Sequence, residues 1–185
     1  MTPLCGDPKM NAIKIIFLDR DGVVNIDKNY LYKIEEFEFT DNLFEVCEHI
    51  ISLGYQIIII TNQSGIGRNY FTQDDFNKLT LWMIKEFKKN NIEILDIFHC
   101  SHTPEADCKC RKPKPGMILE ACKKYNINLE NSWLIGDKLS DINAGINAGI
   151  KNTILIDSDY SNGKDKIGTN NIIKKIIEVK NIIKY

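Results

Sequence analysis

Two kinds of hydrophobic pattern alternate along this chain. Short runs that are apolar at nearly every position give way to longer stretches whose apolar residues recur every three or four positions. A run without polar alternation fits a strand covered on both faces, as in a parallel sheet. The wider spacing fits a helix with one buried side. Ile13 to Leu18 predicts a first strand and ends abruptly in Asp19-Arg20-Asp21-Gly22. Asp41 is placed to cap a helix carrying Leu43, Phe44, Val46, Cys47, Ile50 and Ile51, with Gly54 as its stop. Tyr55 to Ile60 predicts a second buried strand, followed by Thr61-Asn62-Gln63-Ser64-Gly65. Thr72 and Asp75 have the spacing of a capping box, with Asp in place of the usual Glu or Gln, and open a helix that runs to about Lys89.

The same alternation continues. Ile94 to His99 predicts a third strand, and a loop rich in Cys, Pro and Lys leads to a helix from about Gly116 to Tyr125. Trp133 to Ile135 predicts a fourth strand ending in Gly136-Asp137. A helix then begins at Ser140 or Asp141 and closes near Gly149. Ile154 to Ile156 predicts a fifth strand, and Asn171 to Lys184 reads as weakly helical. The fold class that follows is α/β, a Rossmann-like doubly wound parallel sheet with helices on both faces. No repeat or linker divides the chain, so residues 1–185 are expected to form a single domain with a flexible tail over residues 1–11. Gly22 to Asp41 leaves room for a short flap only, so a capless architecture is expected. The polar loops follow strands one, two and four, at the end of an open parallel sheet where ligands bind.

At 43% hydrophobic and 26% charged residues, the composition is that of a globular protein with a real core. A formal net charge of −1 gives no reason to expect nucleic acid or membrane as a partner. No apolar run approaches the roughly 20 residues needed to cross a bilayer. The N-terminus lacks the pattern of a secretory signal, so a cytoplasmic location with reduced thiols is expected. That compartment argues against disulfides among the six cysteines. Cys47 and Cys122 fall on helical patterns and are expected to be small buried hydrophobes, and Cys5 lies in the tail. Cys100, His102, Cys108 and Cys110 supply three thiols and one imidazole within eleven positions, a set that matches a closed, tetrahedral structural zinc site. His99 beside them reads as a strand-end residue. A zinc knot over residues 100–110 would brace a long loop and present Arg111 and Lys112 from a rigid base.

Each strand-end loop is ambiguous alone. Asp19 and Asp21 are two carboxylates after a buried strand and call for a cation or a reaction, although Asp21 also suits the turn before Gly22. Thr61, Asn62, Gln63 and Ser64 suit an anionic oxygen, yet polar turn residues are common there. Arg111-Lys112 with Lys114 could be a solvated basic face. Asp137 follows a buried strand, and Asp141 could be a carboxylate favoured by a helix N-terminus. The lack of a G-x-G-x-x-G after the first strand argues against a dinucleotide-binding oxidoreductase.

Taken together and in this order, LDRDGVVN, ITNQSG, CRKPKPGM and IGDKLSD closely resemble the haloacid dehalogenase superfamily of phosphatases, from Ile13 to about Ile156. The resemblance implies that Asp19 is a nucleophile forming an aspartyl-phosphate and that Asp21 is the general acid and base. It implies Mg²⁺ on the Asp19 carboxylate, the Asp21 carbonyl and Asp137, with Thr61 and Lys112 holding the transferring phosphoryl oxygens. Asp141 would orient Lys112 or metal-bound waters. The zinc loop is similar to that of the branch containing heptose bisphosphate phosphatases and histidinol-phosphate phosphatases. DRDGVVN, TNQSGIGR with Tyr70, and CRKPKPGM side with the heptose group, whereas the short gap from His102 to Cys108 is a length seen in the histidinol-phosphate group.

By the same resemblance the partner is a small sugar bisphosphate met by a monomer. Asp27, Lys28, Asn29 and Tyr30 would contact the sugar, Arg111 would help recognise it, and Lys138 would reach a phosphate or sugar oxygen. Arg68 and Lys114 read either as further phosphate cations or as solvated surface residues. Gly163-Lys164 is a further candidate for the phosphate side. A catalytically dead relative would be expected to lose Asp19, Asp21, Lys112 or Asp137, and all four are present. Transfer of the phosphoryl group to a sugar instead of water stays open.

Overall fold

The computed structural model describes residues 12–157, 169 and 171–184. Its strands are β1 (Lys14–Leu18), β2 (Tyr55–Asn62), β3 (Ile94–Cys100), β4 (Trp133–Gly136), β5 (Asn152–Ile156) and β6 (Asn171–Ile173). They form one parallel sheet in the order β3-β2-β1-β4-β5-β6. The helices are α1 (Leu43–Ser52), α2 (Ser64–Gly67), α3 (Gln73–Lys89), α4 (Gly116–Lys124), α5 (Leu139–Ala148) and α6 (Val179–Ile182). This is the doubly wound order, whose direction of winding reverses between β1 and β4. Between Asp19 and α1 the only regular piece is a 3-10 turn at Ile34–Glu36, so no cap domain stands over that reversal.

Alternate side chains of β1 and β2 point to opposite faces, which is why both strands are apolar nearly throughout. Ile16, Leu18, Ile57 and Ile59 join α1, α3 and the C-terminal turns in one core. Ile15, Phe17, Ile58 and Ile60 join α4 and α5 in the other. Cys47 is buried within the first core, whereas Cys122, expected to be buried, is half-buried at the edge of the second. The candidates in the N-terminal tail and at Gly163-Lys164 lie outside the described residues.

Three expectations need correction. Asp41 does not cap α1: the N-cap is Asn42 in a left-handed conformation (φ 64°), and its side chain makes no capping hydrogen bond. Ser64 to Gly67, read as part of a loop, close one helical turn. Asn171 to Ile173, read as weakly helical, form β6 beside β5, with a 3-10 turn and α6 following. Three residues are too few for a strand pattern to declare itself; pairing of Leu155 with Ile172 decides their state.

The capping box at the start of α3 is present in full. Thr72 Oγ1 accepts from Asp75 N at 3.1 Å, and Asp75 Oδ2 accepts from Thr72 N at 2.9 Å. α3 contributes Phe76, Leu79, Met83 and Phe87 to the interior, so its start is fixed by the same residues that orient this apolar face. Thr72→Ala is expected to lower stability by about 1 kcal/mol, measured by urea unfolding. The accompanying fall in melting temperature is expected to be about 2–4 °C.

Candidate functional site

The strand ends beside the reversal point bring three carboxylates together. Leu18 pairs with Ile135, so Asp19 and Asp137 leave neighbouring parallel strands at nearly the same height. Asp19 N donates to Ile135 O at 3.0 Å. The main chain then turns at Gly22 (φ 94°), where any side chain would run into the Asp137 carboxylate. One turn into α5, Asp141 folds back and accepts from Lys138 N at 3.0 Å. Carboxylate oxygens of Asp19, Asp137 and Asp141 all lie within 4.8 Å of one another.

Lys112 enters this acidic cluster from the loop after β3. Its Nζ lies 2.5 Å from Asp19 Oδ1, 2.8 Å from Asp141 Oδ1 and 3.0 Å from Ile60 O. Three partners use all three ammonium donors. Burial pulls the Lys112 ammonium toward a lower pKa, but Asp141 and Asp19 outweigh it and raise it above the usual lysine value. The backbone of Lys112 is clamped as well. Asn62 Nδ2 donates to Lys112 O at 3.2 Å, and Lys112 N donates to Asn62 Oδ1 at 3.1 Å.

Burial pushes the Asp19 carboxyl well above the usual range; Lys112 opposes the shift, and Asp141, Asp137 and Asp21 add to it. Asp137 rises to about 6, chiefly through burial, against the pull of Lys138. Asp137 Oδ1 is buried with no hydrogen-bond partner among the described residues. An orphaned carboxylate oxygen beside two further carboxylates is what a hard cation with oxygen ligands satisfies, so these residues fit a magnesium ion.

A cleft of about 150 Å³ opens above the cluster. Asp19, Asp21, Thr61 and Lys112 line it, as do Asp27, Asn29, Tyr30 and Lys138 of its rim. Lys138 Nζ reaches Asp27 Oδ2 at 2.9 Å, bridging the loops after β4 and β1. Asn62, Gln63 and Ser64 line the opposite side. Gln63 Nε2 donates to Asp21 Oδ2 at 2.9 Å and to Thr61 Oγ1 at 2.8 Å, which leaves the Thr61 hydroxyl hydrogen free to donate to a ligand. Lys28 and Arg111 are not among the lining residues. Lys28 Nζ is 2.9 Å from Glu36 O and 3.1 Å from Glu38, and Arg111 Nη1 is 3.3 Å from His102 O. Arg68 faces Glu105 at 3.6 Å, and Lys114 pairs with Asp107, so both cations have carboxylates of the loop over residues 100–110 as neighbours.

Sequence reasoning gave no role to Asn25, Gly65 or Ser140. Asn25 is fully buried and donates to Asp21 Oδ1 at 3.1 Å, and the other two line the cleft. Asn25 stands inside the quoted LDRDGVVN motif, and its polarity amid Val23 and Val24 was the available signal.

Cys100, His102, Cys108 and Cys110 converge. The sulfur–sulfur distances are 3.1, 3.5 and 3.5 Å, and His102 Nδ1 lies 3.6 Å from Cys100 Sγ and 3.4 Å from Cys110 Sγ. Ligands about 2.3 Å from a zinc ion would be about 3.8 Å apart. Burial pushes the Cys100 thiol up to about 12, a shift that a metal ion would reverse by favouring the thiolate. His99 points elsewhere, to Gln73 Oε1 at 3.1 Å and the Phe76 ring at 4.3 Å. The cluster is tied to the β2 loop through Gln63 N to Cys100 O at 2.7 Å and Gly67 N to Ser101 O at 3.0 Å.

A HAD-hydrolase-like family model matches residues 109–177. The chain is 50% identical over 150 residues to the D-glycero-alpha-D-manno-heptose-1,7-bisphosphate 7-phosphatase of Campylobacter jejuni, covering 81% of this chain and 86% of that one. It is 47% identical over 180 residues to the enzyme of the same name from Photorhabdus laumondii, covering 91% and 98%. A D-glycero-beta-D-manno-heptose-1,7-bisphosphate 7-phosphatase of Helicobacter pylori is 50% identical over 148 residues, covering 80% and 86%. Among solved structures, the D,D-heptose 1,7-bisphosphate phosphatase from B. bronchiseptica, complexed with magnesium and phosphate, superposes with a TM-score of 0.81 at 28% identity, covering 90% of this chain and 96% of that one. The relatives bear the names of phosphatases and the matching family model is a hydrolase one, so the chain is a hydrolase, and a phosphatase in particular. At these identities the chain belongs to the haloacid dehalogenase-like phosphatases, in the group of the heptose-1,7-bisphosphate 7-phosphatases.

Cys108→Ser is expected to remove bound zinc from the purified protein and to lower its melting temperature together, read by metal analysis and thermal unfolding. A wild-type protein that holds no zinc, or a variant of unchanged stability, would count against the zinc reading.

Proposed function

We propose that this chain is a magnesium-dependent phosphomonoesterase that removes the 7-phosphate of D-glycero-D-manno-heptose 1,7-bisphosphate through an aspartyl-phosphate on Asp19. The observation that carries the reading is the buried ammonium of Lys112, held 2.5 Å from Asp19 and 2.8 Å from Asp141 beside the orphaned Asp137 oxygen. Substrate class comes from the relatives, which are named for this heptose bisphosphate at up to 50% identity. The product, heptose 1-phosphate, suits the synthesis of nucleotide-activated heptose for lipopolysaccharide or capsule.

Phosphate entering the cleft meets the free Thr61 hydroxyl and the Lys112 ammonium, which would exchange its Asp19 contact for an equatorial phosphoryl oxygen. Asp19 attacks phosphorus, and the bond from phosphorus to the sugar oxygen breaks. Asp21 gives its proton to the departing alkoxide, so the sugar leaves as an alcohol. Asp21 then takes a proton from water as the water oxygen attacks the aspartyl-phosphate. Inorganic phosphate leaves, and Asp19 is regenerated. A magnesium ion, when bound by Asp19, Asp137 and the Asp21 carbonyl, supplies positive charge that offsets repulsion between the carboxylate and a dianionic phosphate.

The cations around the cleft support a substrate with two phosphates. Lys138 sits on the rim at 55% side-chain exposure, paired with Asp27, where it can exchange that carboxylate for a phosphate or sugar oxygen. Asp27, Asn29 and Tyr30 form the sugar side of the same rim. A structural zinc in the thiol cluster would fix the loop that carries Arg111 and Lys112.

Asp19→Asn is expected to abolish turnover while leaving the circular dichroism spectrum and melting temperature close to wild type. Full activity in that variant would overturn the nucleophile assignment. Phosphate release with magnesium should be compared for both heptose 1,7-bisphosphate anomers and histidinol phosphate. The expected order has a heptose bisphosphate highest in kcat/KM; a higher value for histidinol phosphate would move the protein to a different substrate with the chemistry unchanged.

A further inference from the structure

Arg20 stands between the two motif aspartates, and it is the largest fully buried side chain among the described residues, 1% exposed. A guanidinium so deep in a fold needs anionic or carbonyl partners. Its Nε lies 3.2 Å from Asp21 Oδ2 and its Nη2 2.9 Å from Asp21 Oδ1, a two-pronged fork between adjacent residues. The same Nη2 donates to Leu31 O at 3.0 Å, at the far end of the flap that carries Asp27 to Tyr30. Below, the Phe76 ring centroid is 5.9 Å from the guanidinium carbon. The backbone is held too: Arg20 O accepts from Val24 N at 2.8 Å and from Asn25 N at 3.0 Å.

Asp21 therefore receives four donors. Arg20 Nε and Gln63 reach Oδ2, and Arg20 Nη2 and Asn25 reach Oδ1. A carboxylate offers about four lone-pair sites, so in the ionised form its plane and both edges are fixed, and taking up a proton means giving up one of the single contacts. Gln63 and Asn25 are single contacts from other segments. The fork is the only bidentate one, and bidentate pairing gives the greatest angular restraint. Asp21 lines the cleft with 19% of its side chain exposed, while its partner stays hidden behind it at 2%.

We propose that Arg20 is a positioning residue for the acid/base step: its fork, braced on the Leu31 carbonyl, aims the Asp21 carboxylate at the leaving oxygen. The proposal rests on Asp21 being the acid and base of the reaction. Arg20 itself does not touch substrate. Its removal should therefore lower kcat/KM, which reads the steps up to departure of the leaving group, only where a proton must reach that group, while the later water step is common to every ester.

That distinction gives the test. A sugar alkoxide needs protonation to leave, whereas p-nitrophenolate does not. Arg20→Met keeps the bulk and deletes the donors. Its kcat/KM is expected to fall about 100-fold for heptose 1,7-bisphosphate, the lower range for a general acid, and by less than about tenfold for p-nitrophenyl phosphate. The double variant with Asp21→Asn should be no slower on the sugar phosphate than Asp21→Asn alone, because both remove one function. Arg20→Lys, which keeps a cation without the fork, should show the same selective loss, and it carries the comparison if Arg20→Met does not fold. Equal losses on both esters, or losses that multiply in the double variant, would overturn the proposal and leave Arg20 a structural residue. Asp21→Asn serves as the control: selective loss there with none in the Arg20 variants overturns the role of Arg20 alone. An Asp21→Asn loss that falls equally on both esters overturns the acid/base reading and this proposal with it.

Discussion

A single ammonium ion makes this site possible. Asp19 and Asp141 are almost wholly buried, and without Lys112 between them they would repel each other in a medium that screens charge poorly. Removing the shared cation would cost about 3–5 kcal/mol, because the carboxylates left behind have no water to turn to, whereas neutralising Asp19 alone leaves Lys112 paired with Asp141. The cluster is therefore a structural bond as much as a chemical tool. It fastens the loop after β3 to the ends of β1 and β4 and to the first turn of α5. The Asn62 amide, which grips the Lys112 backbone from both sides, shows how many elements converge on that one nitrogen.

The order of strands explains why these elements can meet. With β1 at the centre, β2 on one side and β4 on the other, the residues after each strand share one edge of the sheet. Neighbouring registers bring Asp19 and Asp137 level, and β2 supplies Thr61 two residues before Gln63. Lys112 has no strand immediately before it. A loop of that length would ordinarily wander, and the convergence of three thiols and an imidazole just ahead of Arg111 supplies the anchor that a strand supplies elsewhere.

Much of this was legible in the residue order. Buried parallel strands announce themselves by apolar runs, so β1 to β5 and their polar exits could be located from pattern alone, and Thr72 with Asp75 marked the start of α3. What stayed hidden depends on contacts between distant segments. β6 is three residues long and owes its state to β5. Asn42 starts α1 in place of Asp41 because Leu43 N turns back to Thr40 O, a local geometry that composition does not encode. At the site, the strand-end residues could be gathered by their spacing, yet the division of labour among them could not. Gln63 and Asn62 read equally well as ligand contacts, and only the fold reveals that their amides hold Asp21, Thr61 and the Lys112 backbone.

The Asp27–Lys138 bridge differs from everything beneath it, being the one ion pair at the mouth in which both partners keep contact with solvent. Asp19, Thr61, Lys112 and Asp141 form a buried lower storey at the floor of the cleft, and Asp27, Asn29, Tyr30 and Lys138 form an exposed upper one. Such a division lets heredity edit the upper storey freely. Substitution at these surface positions would leave Lys112 paired with Asp19 and Asp141 below. Relatives at equal identity that bear the names of opposite anomers are what such a two-storey plan would leave behind.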